Sequence, residues 1–229
     1  MAGRLRSALA VSPDTQRGWA NEWQAWAAWR TAAEEVGILV FQFPKVPLSE
    51  ARGLTLLREP LPVAAINSKE GPESRAFTLI HEVVHLMLAA GHEEVPASRE
   101  IRSSEAWAEV ERFAEEAASH TLVPEPMLEQ EILSGTLPRN GWDIIDVRGL
   151  ARRFKITPLA MATRLRASGY RPLRMHFSGM RLTRAALVVL VRGSRKAANA
   201  QARLVTPSTW CFPRLARYSL NGPQKCATT

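Results

Sequence analysis

Apolar positions along the chain change period several times, and each change marks an element. Over residues 16–36, Trp19, Trp23, Trp26 and Trp29 recur at spacings of four, three and three. That spacing predicts one amphipathic helix with a tryptophan stripe turned to the core. Gly37 ends it, and Ile38-Leu39-Val40-Phe41-Gln42-Phe43 then reads as a buried strand closed by Pro44 and Pro47. A second strand is predicted at Val63–Asn67, between Pro62 and the polar turn Ser68-Lys69-Glu70-Gly71-Pro72. Helical periodicity returns over about 74–90, with Gly91 placed as a C′ residue, over 101–119, and briefly over 125–134. A loop at 135–142 carries Gly135, Pro138, Asn140 and Gly141. Two short helices follow, 146–154 with Asp146 as cap, and 158–168 with Thr157 as cap, Pro158 at N1 and Gly169 past its end. Beyond about residue 176 the pattern fades, and no internal repeat is present.

The composition permits one sizeable core, at 229 residues and 46% hydrophobic. Charge divides the chain. Residues 1–146 hold 13 Lys+Arg against 22 Asp+Glu, net −9, whereas 147–229 hold 17 Lys+Arg and no acid, net +17. The two cysteines, Cys211 and Cys226, match no zinc-ribbon spacing and are too few for a disulfide scaffold, so a reducing cytoplasm is the expected compartment. The N-terminal apolar run Ala8–Val11 is too short for a signal peptide. The run Ala185–Val191 is far short of the roughly 20 residues that span a bilayer.

The chemistry concentrates in His81-Glu82-Val83-Val84-His85. On a helix, residues i and i+4 lie one above the other, so two imidazoles bind one zinc ion from a single rigid support. Glu82 projects beside them, close enough to hold a water and act as the catalytic base. The pentapeptide also arises by chance, in which case both histidines are ordinary hydrogen-bonded residues. Its flanks, Phe77–Ile80 and Leu86–Ala90, are strongly apolar, and unpaired polar groups in a buried helix are unfavourable. A metal removes that difficulty. The third ligand is expected from the helix at 101–119. There Glu111 sits in the middle of a face of Ser104, Trp107, Ala108, Ala114 and Ala118, while Glu105 and Glu109 lie on the solvated side. Glu115, one turn on from Glu111, is the rival ligand or a partner to one. His92, His120 and His176 read as ordinary surface or interface residues.

With these residues the chain resembles the ImmA/IrrE family of metallo-endopeptidases, over roughly residues 20–175. The resemblance is carried by Arg52-Gly53-Leu54-Thr55-Leu56 with Leu61–Lys69, by Arg75–Leu86, by Glu111–Ala118 with Leu122-Val123-Pro124, and by Leu150–Thr157 with Arg164-Leu165. Glu115 departs from it, since relatives commonly have Asn there. The resemblance implies an α+β fold: a mostly helical zincin-like metallopeptidase domain with a small antiparallel sheet and a short helix pair, to which the composition adds an irregular basic C-terminal tail. The expected organisation is a flexible N-terminus at 1–15, a metallopeptidase domain at 16–175 that includes the helix pair 146–168, and a basic tail at 176–229. The resemblance further implies peptide-bond hydrolysis with His81, His85 and Glu111 as metal ligands. Zinc is the default metal, with manganese or iron also compatible with His2Glu ligation. The implied partner is a helix-turn-helix repressor as protein substrate, in mobile-element or stress regulation. The strand at 63–67, if it is an exposed edge, is expected to pair with extended substrate.

Two other functions compete. Residues 146–168, with Arg152, Arg153, Lys155, Arg164 and Arg166, resemble a DNA-binding helix-turn-helix, so nucleic acid is a conceivable partner through 146–229. The second helix is largely apolar, with Leu159, Ala160, Met161, Ala162 and Leu165, which favours packing under the catalytic domain instead. Alternatively, the protein keeps the metal but serves as a repressor-binding module with little turnover. For the acid-free tail, a nucleic-acid-binding arm competes with sequence read out of frame, and the latter better matches its composition. No membrane association is expected.

Overall fold

The computed structural model describes residues 1–57, 61–90, 104–136 and 144–170. The elements are α1 (Ala2–Ala8), α2 (Pro13–Arg17), α3 (Glu22–Glu35), β1 (Leu39–Phe43), β2 (Gly53–Leu56), β3 (Val63–Asn67), α4 (Pro72–Ala90), α5 (Ser104–Leu122), α6 (Glu125–Glu131), a π-helical turn (Ile132–Thr136), α7 (Ile144–Phe154) and α8 (Pro158–Ala167). The fold is α+β and mostly helical, as expected, with one small sheet among the described residues. The basic tail, Gly91, His92, His176, both cysteines, the Ala185–Val191 run and most of the 135–142 loop lie outside the described residues.

The N-terminal expectations need correcting. Residues 1–15, expected to be flexible, form α1 and α2 and enter the core through Leu5, Leu9 and Val11. Leu5 is fully buried, and beside it the buried Arg6 donates to Thr121 O at 2.7 Å and Gln16 Oε1 at 2.8 Å. The first of these contacts satisfies a carbonyl in the last turn of α5 that a helix terminus otherwise leaves unpaired. The expected single helix at 16–36 is divided. Ser12 and Pro13 start α2, and Gly18 ends it. Asn21 then caps α3, its side chain accepting from Gln24 N at 2.9 Å. The tryptophan stripe is correspondingly incomplete: Trp19, Trp26 and Trp29 are buried, but Trp23 is 54% exposed under the Arg75 guanidinium. Steps of three residues drift about 60° each around a helix, which carries Trp23 to the rim of the face.

The expected antiparallel sheet is mixed. Its order is β1–β3–β2, with β1 parallel and β2 antiparallel to β3. Asn67, fully buried at the end of β3, accounts for the crossover. Its Nδ2 donates to Val46 O at 3.0 Å and Ala51 O at 2.8 Å, and its N–H to Arg52 O at 2.8 Å. These bonds hold the β1–β2 connection at the C-terminal end of β3, so that β2 starts on the far side. β3 is therefore central and has no free edge; the edges belong to β1 and β2.

One face of the sheet lies on α4, which is also packed between α3 and α5. The helix pair at the end behaves as a packing element: α8 lies against α5, and Arg164, one of the basic residues of the helix-turn-helix reading, is fully buried. Its Nε donates to Val123 O at 2.7 Å and its Nη2 pairs with Glu125 at 2.6 Å. Thr157 caps α8 as expected, accepting from Ala160 N at 3.2 Å. Asp146 lies inside the first turn of α7 rather than capping it. Among the described residues, no helix is long and apolar enough to cross a membrane.

Candidate metal centre

α4 is buried along most of its length because the sheet, α3 and α5 surround it. Such a helix needs a reason to carry polar side chains, and here they converge. His81 and His85, one turn apart, bring their Nε2 atoms to 3.0 Å from each other. From α5, Glu111 reaches both, with Oε2 at 3.5 Å from His81 Nε2 and Oε1 at 3.4 Å from His85 Nε2. Glu111 is only 5% exposed, in the middle of the inward face of α5. Glu115, the rival carboxylate, is not in the converging set.

The three separations provide a test of whether a metal fits. Bonds of about 2.0 Å to a tetrahedral ion place neighbouring ligand atoms roughly 3.3 Å apart. The observed 3.0–3.5 Å edges match one face of such a tetrahedron. The donor set, two imidazole nitrogens and a carboxylate oxygen, suits zinc and its neighbours. Three lone-pair-bearing atoms gathered in a buried position repel one another unless a cation or proton lies between them. The group can therefore hold a metal ion.

Aromatic rings fix the imidazoles: Phe77 stacks on His81 at 6.4 Å and Trp107 on His85 at 5.9 Å. His81 Nδ1 is buried with no hydrogen-bond partner among the described residues. Burial opposes ionisation of Glu111, yet hydrogen bonds from both imidazoles outweigh it and hold its carboxyl well below the usual carboxylate range. Burial likewise opposes protonation of His81, but the Glu111 hydrogen bond, with the charges of Glu82, Glu111 and Glu115, raises its pKa.

Glu82 lies between the two histidines on α4 and is 9% exposed. Burial pushes its pKa up, against the imidazoles of His85 and His81. Above it passes β2. A β-carbon built on Gly53 would lie 2.5 Å from Glu82 Oε1 and 2.7 Å from Thr78 Cγ2. Thr55 hydrogen-bonds the Glu82 side chain. Near the start of β2, Arg52 pairs with the buried Glu70 at 2.7 Å, and Thr78 of α4 donates to the same carboxylate at 2.8 Å.

Sequence reasoning did not find β2 or the roles of Gly53, Thr55, Arg52 and Glu70. A glycine followed by leucine and threonine, Gly53-Leu54-Thr55, was the available signal, since a glycine in a strand often marks close backbone approach. His120 stands apart, in the last turn of α5, with burial and Arg164 lowering its pKa.

Compared with known proteins, residues 33–166 match the family model described as IrrE N-terminal-like domain, peptidase M78. No curated protein and no solved structure matches the chain.

Proposed function

Because the chain belongs to the IrrE N-terminal-like peptidase family, we propose that it is a zinc-dependent endopeptidase whose metal is held by His81, His85 and Glu111, with Glu82 as general base. The observation that carries this reading is the convergence of three ligand atoms at 3.0–3.5 Å beside a buried glutamate that is not one of them. Manganese or iron would suit the same donors.

A divalent ion held by His81, His85 and Glu111 would supply Lewis acidity for activating water and the scissile carbonyl. The protein's own side chains do the rest. Glu82 takes the proton from the attacking water and passes it to the leaving amine. Burial favours the neutral form of Glu82, which strengthens it as a base and suits it to the second transfer. Phe77 and Trp107 hold the imidazoles in place.

Among the described residues β2 is an edge strand, and its outer edge is the place for an extended substrate. In its register with β3, Arg52 and Asn67 form a hydrogen-bonded pair, so the backbone groups of Gly53 and Thr55 point away from β3. A peptide strand added there runs past Glu82. The substrate class we propose, on the support of the family resemblance, is a helix-turn-helix repressor in the cytoplasm.

Incubation with the helix-turn-helix repressor encoded nearest in the genome, followed by mass spectrometry of fragments, tests the proposal. Wild type should cleave and Glu82→Gln should cleave roughly 10²–10⁴-fold more slowly, while both retain metal. Equal cleavage by both would identify a contaminating protease. Tight repressor binding without cleavage would favour a binding module.

A further inference from the structure

We propose that Thr55, on the edge strand β2, is a positioning residue for Glu82: its hydroxyl donates to one carboxylate oxygen and leaves the other free to take a proton from water. The inference rests on the reading of Glu82 as the base.

The first support is where β2 runs. A β-carbon on Gly53 would come within 2.5 Å of Glu82 Oε1 and 2.8 Å of Glu82 Cγ, so the strand backbone lies directly on this side chain. Side chains two apart in a strand share a face. Thr55 therefore faces α4 as Gly53 does, opposite the fully buried Ala64 of β3. Its hydroxyl makes a hydrogen bond to Glu82.

The second support is how β2 is held. Glu70 joins Arg52, the residue before β2, to Thr78, one helical turn before Glu82. The bridge is buried, with Glu70 4% exposed. It fixes β2 against the turn of α4 that carries the base, so the Thr55 hydroxyl meets Glu82 in one geometry. Glu82 needs such a restraint. It has three rotatable side-chain bonds and, unlike its two histidine neighbours, is not in the group of ligand atoms that would hold it still.

The test compares Thr55→Val, which keeps the shape and removes the hydroxyl, with Thr55→Ser, which keeps the hydroxyl. Each is made in the wild-type chain and in Glu82→Gln. The substrate is the peptide that wild type cleaves fastest from a proteome-derived peptide library. Thr55→Val should lower kcat about tenfold, the scale of one hydrogen bond to a charged group, with KM within about twofold and metal content and circular dichroism unchanged. Thr55→Ser should recover kcat to within about threefold. With Glu82→Gln already present, Thr55→Val should make no further difference, because a residue that acts only through Glu82 is non-additive with it. A crystal structure of Thr55→Val should show Glu82 in more than one rotamer, a readout independent of turnover. Unchanged kcat in Thr55→Val, an equal loss in the Glu82→Gln background, or loss of metal or fold would overturn the inference and leave the peptidase reading standing. If wild type cleaves no peptide in the library, the peptidase reading fails and this inference with it.

Discussion

Gly53 lies so close over Glu82 that a β-carbon at residue 53 would sit 2.5 Å from Glu82 Oε1. The flexible carboxylate end could swing aside, but Thr78 Cγ2 at 2.7 Å and Glu82 Cγ at 2.8 Å are close to the helix backbone. A methyl group therefore forces β2 away from α4. The three atoms nearest that β-carbon belong to Glu82 and Thr78, and none to His81, His85 or Glu111. Gly53→Ala should keep its metal and lose roughly ten- to a hundredfold in turnover, a part of the ~10²–10⁴-fold typical of general acid–base catalysis. Metal analysis beside peptide cleavage checks this, and loss of metal would place Gly53 in the metal site instead.

Glu111 and Glu115 are separable by metal content. Glu111 reaches both imidazoles, whereas Glu115 acts on His81 only through its charge. Glu111→Ala should lose most of about one zinc per chain, as expected for a single three-ligand site. Glu115→Ala should keep it. The reverse result by inductively coupled plasma mass spectrometry would reassign the third ligand.

Much of this site is local in sequence. Two histidines four apart in an apolar run fall on one side of a helix, and an acid in the apolar stripe of α5 must face inward, which is where Glu111 lies. Thr157, Pro158 and Gly169 bound α8 through their own backbone preferences. What escaped is non-local. β2 has four half-buried residues and no alternation, and its place is set by Asn67, Arg52 and Glu70 through contacts that pattern does not encode. α1 is only seven residues long, and Arg6 ties it to Thr121, 115 positions away. The parallel pairing of β1 with β3 likewise follows from a crossover held by one buried asparagine.

The Arg164–Glu125 pair should make stability depend on acid. Burial raises the Glu125 pKa, but hydrogen bonds from Arg164 and Ser168 outweigh it, so the folded value is depressed. A depressed acid stabilises the fold above its unfolded pKa, about 4.3, and that contribution fades as pH falls through the folded value. Thermal melts of wild type should lose an increment from about pH 5 downward that Glu125→Gln does not lose. Glu125 is 40% exposed, so water can partly replace it. The expected cost of Glu125→Ala at pH 7 is about 1–2 kcal/mol, below that of a fully buried pair. Parallel pH profiles for wild type and Glu125→Gln would remove the pair as the source.

The N-terminal segment should prove part of the cooperative unit. Leu5 is fully buried, and truncation of such a side chain costs about 2–5 kcal/mol. Arg6 is a different case, because it is a buried cation among carbonyls rather than acids. Its guanidinium donates to Thr121 O and Gln16 Oε1 and lies 5.6 Å over the Trp29 ring. Burial lowers its pKa to about 10, still above neutral pH, so it keeps its charge. What holds it there is the electronegative end of α5, where unpaired carbonyls favour a cation. Arg6→Met fills the space but leaves Thr121 O without this donor, which should cost about 1–3 kcal/mol. Gln16 Nε2 still bonds Leu122 O at 2.9 Å, so α2 should stay docked. Urea unfolding should show Leu5→Ala and Arg6→Met both lowering the midpoint of one transition that also reports the α4–α5 core. A separate early transition, with the core midpoint unchanged, would make α1 an independent appendage.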